Sequence, residues 1–235
     1  MAQTLGHDAQ GRLYTSTRSG RINPPIHSED LLRWVAPRLG VEGLWTRTVP
    51  AFRRRLFEST TGKTIGSVDW RCEMPRANVE IQFRDSSGRR LAGRGYVECL
   101  DLTVKPWQLP IRELRWGRFQ SDADVLVWIQ WSGAHPLTLM LHNEKVHEPG
   151  HAAISQDRVV LPGGAATLDL HDHKVLRDGP LVSTALSRLP LLRQRLPGQL
   201  LGVHESKWLS RGTLHRGPQD TPSHGWAIHE VVVWP

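Results

Sequence analysis

Tryptophan-bearing segments that alternate polar with apolar residues restrict this chain more than any other feature. Asp69-Trp70-Arg71-Cys72-Glu73-Met74 alternates, and so does Asn78 to Arg84 (NVEIQFR). Val125 to Trp131 (VLVWIQW) is apolar almost throughout, and Gly225 to Trp234 (GWAIHEVVVW) holds two of the ten tryptophans. A period of two places successive side chains on opposite faces of a strand, so one face is buried. A row of indoles inside a closed sheet either fills it or lines a pocket. The expected fold is therefore mainly β, an antiparallel β-barrel.

Strands are expected at 64–74, 77–85, 90–104, 111–120, 124–132, 137–142, 151–161, 166–176, 206–215 and 225–234. Turn residues separate them: Asp85-Ser86-Ser87-Gly88, Ser132-Gly133, Pro162-Gly163-Gly164, Asp178-Gly179-Pro180 and Gly217-Pro218. Serial strands with short turns make an antiparallel meander that closes. The leucine-rich stretch Ser183 to Leu196 interrupts it, reading as a helix kinked at Pro190 that caps one end of the barrel.

Residues 1 to about 26 read as irregular. Ser28 offers an N-cap to Glu29, Asp30, Leu31, Leu32, Trp34 and Val35, a short helix before Pro37. Pro50 opens a second, with Phe52, Leu56 and Phe57 on the face opposite Arg53, Arg54 and Arg55. The expected organisation is an irregular and helical segment, 1–62, followed by a barrel domain, 63–235.

The net charge of +7 suits anionic partners. Yet the arginines are scattered apart from Arg53 to Arg55, and no zinc-finger spacing, heptad-bearing basic helix or RNP-like segment occurs. Nucleic acid is thus disfavoured, while the arginine cluster allows peripheral membrane contact. Met1 to Tyr14 lacks an apolar core of the secretory kind and no stretch has membrane-spanning character, so a cytoplasmic location is expected. Cys72 and Cys99 both fall in strands and read as buried thiols.

Strand faces nominate polar residues. Tyr96, Glu98, Leu100 and Leu102 share one side of their strand. Trp226, Ile228, Glu230, Val232 and Trp234 share one side of another. If these sides face inward, Glu98 and Glu230 lie among apolar groups, where a carboxylate must be paired or become a proton donor. Arg112, Arg115 and Arg118 are the nearest partners in sequence. If the faces are reversed, both acids are solvated. His171 and His173, with Asp169 on the same side of a regular strand, could present three metal ligands, but an exposed polar edge gives the same pattern and no metal is expected. No P-loop, GxSxG or GxGxxG occurs, and no cofactor is expected.

Four stretches taken in order carry a resemblance: Trp70 to Ala77 (WRCEMPRA), Gly93 to Glu98 (GRGYVE), Leu114 to Phe119 with Val127 to Gly133 (LRWGRF, VWIQWSG), and Gly225 to Pro235 (GWAIHEVVVWP). Over residues 64 to 235 the chain resembles the bacterial lipocalin-like family of carotenoid 1,2-hydratases (hydroxyneurosporene synthases) and AttH-type proteins. The resemblance implies a lipocalin or calycin-like barrel, as one barrel or two barrel-like halves. It also implies a cofactor-independent lyase in which an acid near the Gly-Tyr segment protonates an isolated C=C bond and water adds to the tertiary carbocation. Tyr96 and Glu98 carry over as candidate catalytic residues, although the hydratases show His-Asp after the tyrosine where this chain has Val97-Glu98.

Two functions follow as expectations. One is a barrel that holds a small apolar ligand (isoprenoid, carotenoid-like or lipid) against Trp70, Trp116, Trp128, Trp131, Trp226 and Arg115. The alternative is a hydratase or isomerase on an isoprenoid-like substrate, with Glu98 or Glu230 as acid and Tyr96 and Arg115 in support.

Overall fold

The computed structural model describes residues 2–7, 13–18, 26–28, 30–36, 40–62, 64–84, 88–105, 108–147, 153–181, 198–217 and 219–235. Almost all of them form antiparallel strands. In order these are β1 (Ala2–His7), β2 (Leu13–Arg18), β3 (Ile26–His27), β4 (Leu31–Ala36), β5 (Val41–Arg47), β6 (Phe52–Ser59), β7 (Gly66–Phe83), β8 (Arg90–Leu102) and β9 (Ile111–Ser121). There follow β10 (Val125–Gly133), β11 (Leu137–His142), β12 (Lys145–His147), β13 (Ala153–Ile154), β14 (Arg158–Val160), β15 (Thr167–Pro180), β16 (His204–His215) and β17 (Ser223–Val233). A single helical turn, Gly198–Leu201, precedes β16. The expected capping helix at 183–196 lies outside the described residues. No helix among the described residues is long and apolar enough to cross a membrane.

The chain divides into two compact units. The first comprises Met1–Arg54 and Trp70–Cys99, the second Arg55–Asp69 and Leu100–Pro235. β1 and β2 pair as a hairpin, and β3-β4-β5-β7-β6 form a sheet in which β8 also pairs with β7. The core of the first unit gathers Leu32, Trp45, Met74, Ala77 and Val79, with Trp34, Ile81 and Val97 packed against it.

Both expected N-terminal helices are strands. Leu31–Ala36 pairs with Val41–Arg47 across a turn in which Gly40 has φ 60°. Six residues before Pro37 are too few for a stable helix, whereas an aromatic and β-branched run suits a pleated surface. The would-be cap residues do other work: Asp30 accepts from Arg47 at 2.6 Å, and the Ser28 N–H donates to Leu31 O at 2.9 Å. Phe52–Ser59 is drawn into the sheet because its arginines match the acids of β7. Arg53 lies 3.7 Å from Glu73 and Arg55 2.9 Å from Asp69.

β7 also corrects an expected break. It runs unbroken through Pro75, and its buried positions change there from even to odd: Val68, Trp70, Cys72 and Met74 before, Ala77 and Val79 after. One extra residue at such a point shifts the pleat, as at a bulge, where proline is tolerated within a strand.

In the second unit nine strands form one antiparallel sheet, β12-β11-β10-β9-β17-β16-β15-β14-β13. It curls into a lipocalin-like half-barrel. Phe119, Leu126, Trp128, Met140, Val159, Leu168, Leu214 and Ala227, contributed by seven of these strands, meet in one buried cluster on its concave side. Three glycines on that side make room for rings. A Cβ on Gly117 would come within 2.2 Å of the Trp128 ring, and one on Gly212 or Gly225 within 2.7 or 2.9 Å of Phe119.

Candidate functional site

The concave face is read along the register. Trp128 of β10 lies opposite Gly117 of β9, Gly117 opposite His229 of β17, and His229 opposite Trp208 of β16. The Trp208 and His229 rings stack at 5.3 Å, and Trp128 lies 6.5 Å from His229 on its other side. His229 is thus a buried imidazole, 3 % exposed, between two indoles.

Ser210, two residues after Trp208 on β16, points to the same side and is fully buried. Its Oγ lies 2.8 Å from His229 Nε2 and 2.7 Å from His173 Nδ1. His173 Nε2 in turn lies 2.9 Å from Asp157 Oδ1. The His173 and Asp157 side chains are 22 % and 74 % exposed. Four polar groups therefore connect solvent to the interior.

A bulge aims His173 inward. The β15–β16 register shifts between His171 and Lys174, and Asp172 takes φ 53°. Such an extra residue turns the following side chain to the other face. His171 stays outside with Asp172 at 3.1 Å, and Asp169 pairs outside with Arg158 at 3.0 Å. The three would-be metal ligands are thereby divided between two faces. Among the described residues no group of three His, Cys, Asp or Glu side chains is placed to hold a metal ion.

Burial pushes the His229 imidazole down to about 4; nearby His173 adds to this and Asp157 opposes it. The folded protein therefore keeps His229 neutral where the unfolded chain, near 6.5, takes up a proton. Stability is constant above that value, falls as pH drops from 6.5 to about 4, and loses on the order of 3 kcal/mol across the window. Urea unfolding at pH 7.5 and pH 4.5 checks this: His229→Gln, which keeps a hydrogen-bonding group but cannot titrate, is expected to flatten the difference.

The residues nominated from the sequence occupy three places. In the first unit Glu98, Tyr96 and Trp70 do meet: the Trp70 indole N–H and the Tyr96 hydroxyl each donate to Glu98 Oε2 at 2.8 Å. Trp70 is buried with Phe52 edge-on to it at 5.8 Å. The row containing Glu98 is the exposed one, since Leu100 and Leu102 are exposed while Val97 packs on the core.

In the second unit Trp116, Trp131, Trp226 and Glu230 lie on the convex face, and Trp128 and Arg115 on the concave one. Glu230 pairs with Lys207 at 2.5 Å. Lys207 reaches Glu205 at 3.1 Å, and Glu205 reaches Arg177 at 2.7 Å. Burial alone lowers the basicity of Lys207, but Glu230 and Glu205 outweigh it and hold the ammonium charged. Arg115 takes Glu113 at 2.6 Å. The Arg118 guanidinium lies 5.5 Å from the Trp116 ring centre, and that of Arg211 3.8 Å from Trp226. The Trp131 N–H donates to His135 O at 2.6 Å.

The four residues of the inner chain carry no sequence motif. The glycines were the available signal, because a glycine within a strand marks a close approach. Gly117, Gly212 and Gly225 identify the concave side, and with it Ser210 and His229.

The Asp157–His173–Ser210 spacing resembles a nucleophilic triad, but the arrangement around Ser210 differs. Its oxygen is buried and engaged by imidazoles on two sides, which suits passing a proton along and leaves little approach for attack on a substrate. A cleft of about 370 Å³ lies between Gln130 and the β13–β14 turn, with Ile154, Ser155 and Arg158 along its wall. Ser155 and Arg158 flank Asp157 in that turn.

No protein-family model matches the chain, and no curated protein matches it. Among solved structures, CghA is similar at 12 % identity over 96 % of this chain and 77 % of its own, with a TM-score of 0.43. A structure described as AttH from Nitrosomonas europaea is similar at 12 % identity over 96 % of this chain and 67 % of its own, with a TM-score of 0.45. Kievitone hydratase from Nectria haematococca is similar at 11 % identity over 94 % of this chain and 74 % of its own, with a TM-score of 0.47.

Proposed function

We propose that the second unit binds a small apolar molecule at its concave face and acts on it by cofactor-independent acid–base chemistry, of the hydration or isomerisation class. The observation that carries this reading is a buried serine bridging two imidazoles, one of them set between Trp128 and Trp208. Indoles provide apolar walls, and a few convergent polar groups among them are what an orienting site needs. The cleft beside the β13–β14 turn is the entrance in this reading.

Binding is tested by titrating the protein with farnesol and with geranylgeraniol while following tryptophan fluorescence. Saturable quenching that weakens in Trp208→Phe is the expected result; a response that only rises linearly with concentration would remove the reading. Solvent extraction followed by mass spectrometry then identifies any molecule carried from the cell.

Glu98 supports a second reading, because both the Trp70 indole and the Tyr96 hydroxyl hold one of its oxygens. On one substrate the two readings separate cleanly. Ser210→Ala suppresses turnover if the second unit performs the chemistry, and Glu98→Gln does so if the first unit does.

A further inference from the structure

Ser210 has one hydrogen and two imidazole neighbours, and that count limits what the chain can do. His173 Nε2 faces the Asp157 carboxylate, an acceptor, so Nε2 carries hydrogen. With His173 neutral, its Nδ1 is a bare lone pair that accepts from the Ser210 hydroxyl. The serine oxygen then accepts from His229 Nε2–H. His229 Nδ1 is left as a bare nitrogen, and no described residue hydrogen-bonds to it.

We infer that Asp157, His173, Ser210 and His229 form a proton relay in which His229 Nδ1 takes a proton from carbon and the resulting charge is stored on His173. The inference rests on the acid–base reading above and narrows it to isomerisation of an apolar carbon acid, such as an alkene one carbon removed from a ketone. The substrate C–H bond breaks, its electron pair remains on the substrate as a dienolate, and the proton goes to His229 Nδ1. His229 passes its Nε2 hydrogen to Ser210 Oγ, and Ser210 passes its own to His173 Nδ1. Reversing the same movements onto a different carbon shifts the double bond with no net gain or loss of protons.

The position of the charge makes this workable. A cation on His229 is penalised by burial, whereas His173 is partly exposed and touches a carboxylate. Several other charges on the surrounding strands are paired. Arg115 takes Glu113 on β9, Arg158 takes Asp169 across β14 and β15, and Lys207 of β16 takes Glu230 of β17 on the convex face. On β15 His171 pairs with Asp172 outside the bulge. Asp157 and His173 are the charges that act on His229.

Histidine side-chain ¹⁵N NMR on the full chain between pH 8 and pH 5.5 tests the relay without any ligand. At pH 8 both His173 and His229 are expected as Nε2–H tautomers. As His173 takes up a proton, its Nδ1–H donates to Ser210, and His229 changes to the Nδ1–H tautomer in step while staying neutral. In Ser210→Ala the His229 tautomer no longer follows the protonation state of His173. A wild-type His229 that ignores His173, or an alanine variant in which it still follows, overturns the relay.

The substrate class is tested separately with cyclohex-3-enone, whose conversion to the conjugated ketone is followed by absorbance. Conversion about 100-fold slower in Ser210→Ala is the expected result. Intact tautomer coupling with no conversion by the wild type overturns the carbon-acid assignment, and loss of saturable quenching by isoprenoid alcohols overturns the binding reading.

Discussion

Replacing Trp128 with alanine is expected to cost about 3–5 kcal/mol of stability, the range for removing a large aromatic side chain from a packed core. Trp128 is 2 % exposed. Its ring fills the space a side chain at Gly117 would occupy, with Phe119, Leu126 and Met140 in the same cluster. Strands pinned by hydrogen bonds on both sides cannot move in to close the void, so most of the cavity persists. Trp226 supplies the contrast. It lies on the convex face, half-buried beneath the Arg211 guanidinium, and Trp226→Ala is expected to cost about 1 kcal/mol, a lost cation–π contact and some packing. Urea unfolding of both variants at one pH measures the difference, and equal losses would mean that the concave face is not the tightly packed one.

Asp124 is expected to rival it. Its carboxylate is fully buried at the turn between β9 and β10. Ser223 donates to one oxygen in a short hydrogen bond. His142 Nε2 lies 3.0 Å from the other, with Asn143 and Arg216 at 3.4 Å. Asp124→Ala leaves these donors without their acceptor and should cost about 3–5 kcal/mol. Burial alone raises the Asp124 pKa, but Ser223, His142 and Arg216 outweigh it and hold the group below its ordinary 3.8. The stabilisation is therefore complete above that value and disappears as pH falls through the lower, folded one. Wild-type stability should drop steeply in this acid range, below the window set by His229, and the slope should be shallower in Asp124→Ala.

The strands of the second unit were legible because alternation and turn residues agree there. The expected segments 111–120, 124–132, 137–142 and 206–215 lie within a few residues of β9, β10, β11 and β16. The N-terminal helices were misread because Ser28, Glu29 and Asp30 imitate a helix start. The choice between helix and strand over Leu31–Ala36 is made by pairing with β5, which local pattern does not reveal. Tyr96 and Glu98 are read from the sequence as catalytic candidates and Trp70 as part of a ligand wall; the structure joins Trp70 to that pair because Tyr96 and Glu98 share a strand side and Trp70 is on the strand beside it. The inner chain was not legible. His173 reaches it only through the Asp172 bulge, and one extra residue reverses every inference drawn from alternation.

The strand order also determines when this interior can exist during folding. Within the nine-stranded sheet every pairing but one joins strands adjacent in the chain, and the exception is β9 with β17. The β9–β12 and β13–β17 segments can each zip locally, while joining them requires closure of a long loop, the slow kind of step. Ser210 and His229 sit on one segment, Gly117 and Trp128 on the other. Trp128 therefore meets His229 only at that closure, and until then the two seams remain open strand edges, the state in which such a chain is most exposed to pairing with a second copy of itself.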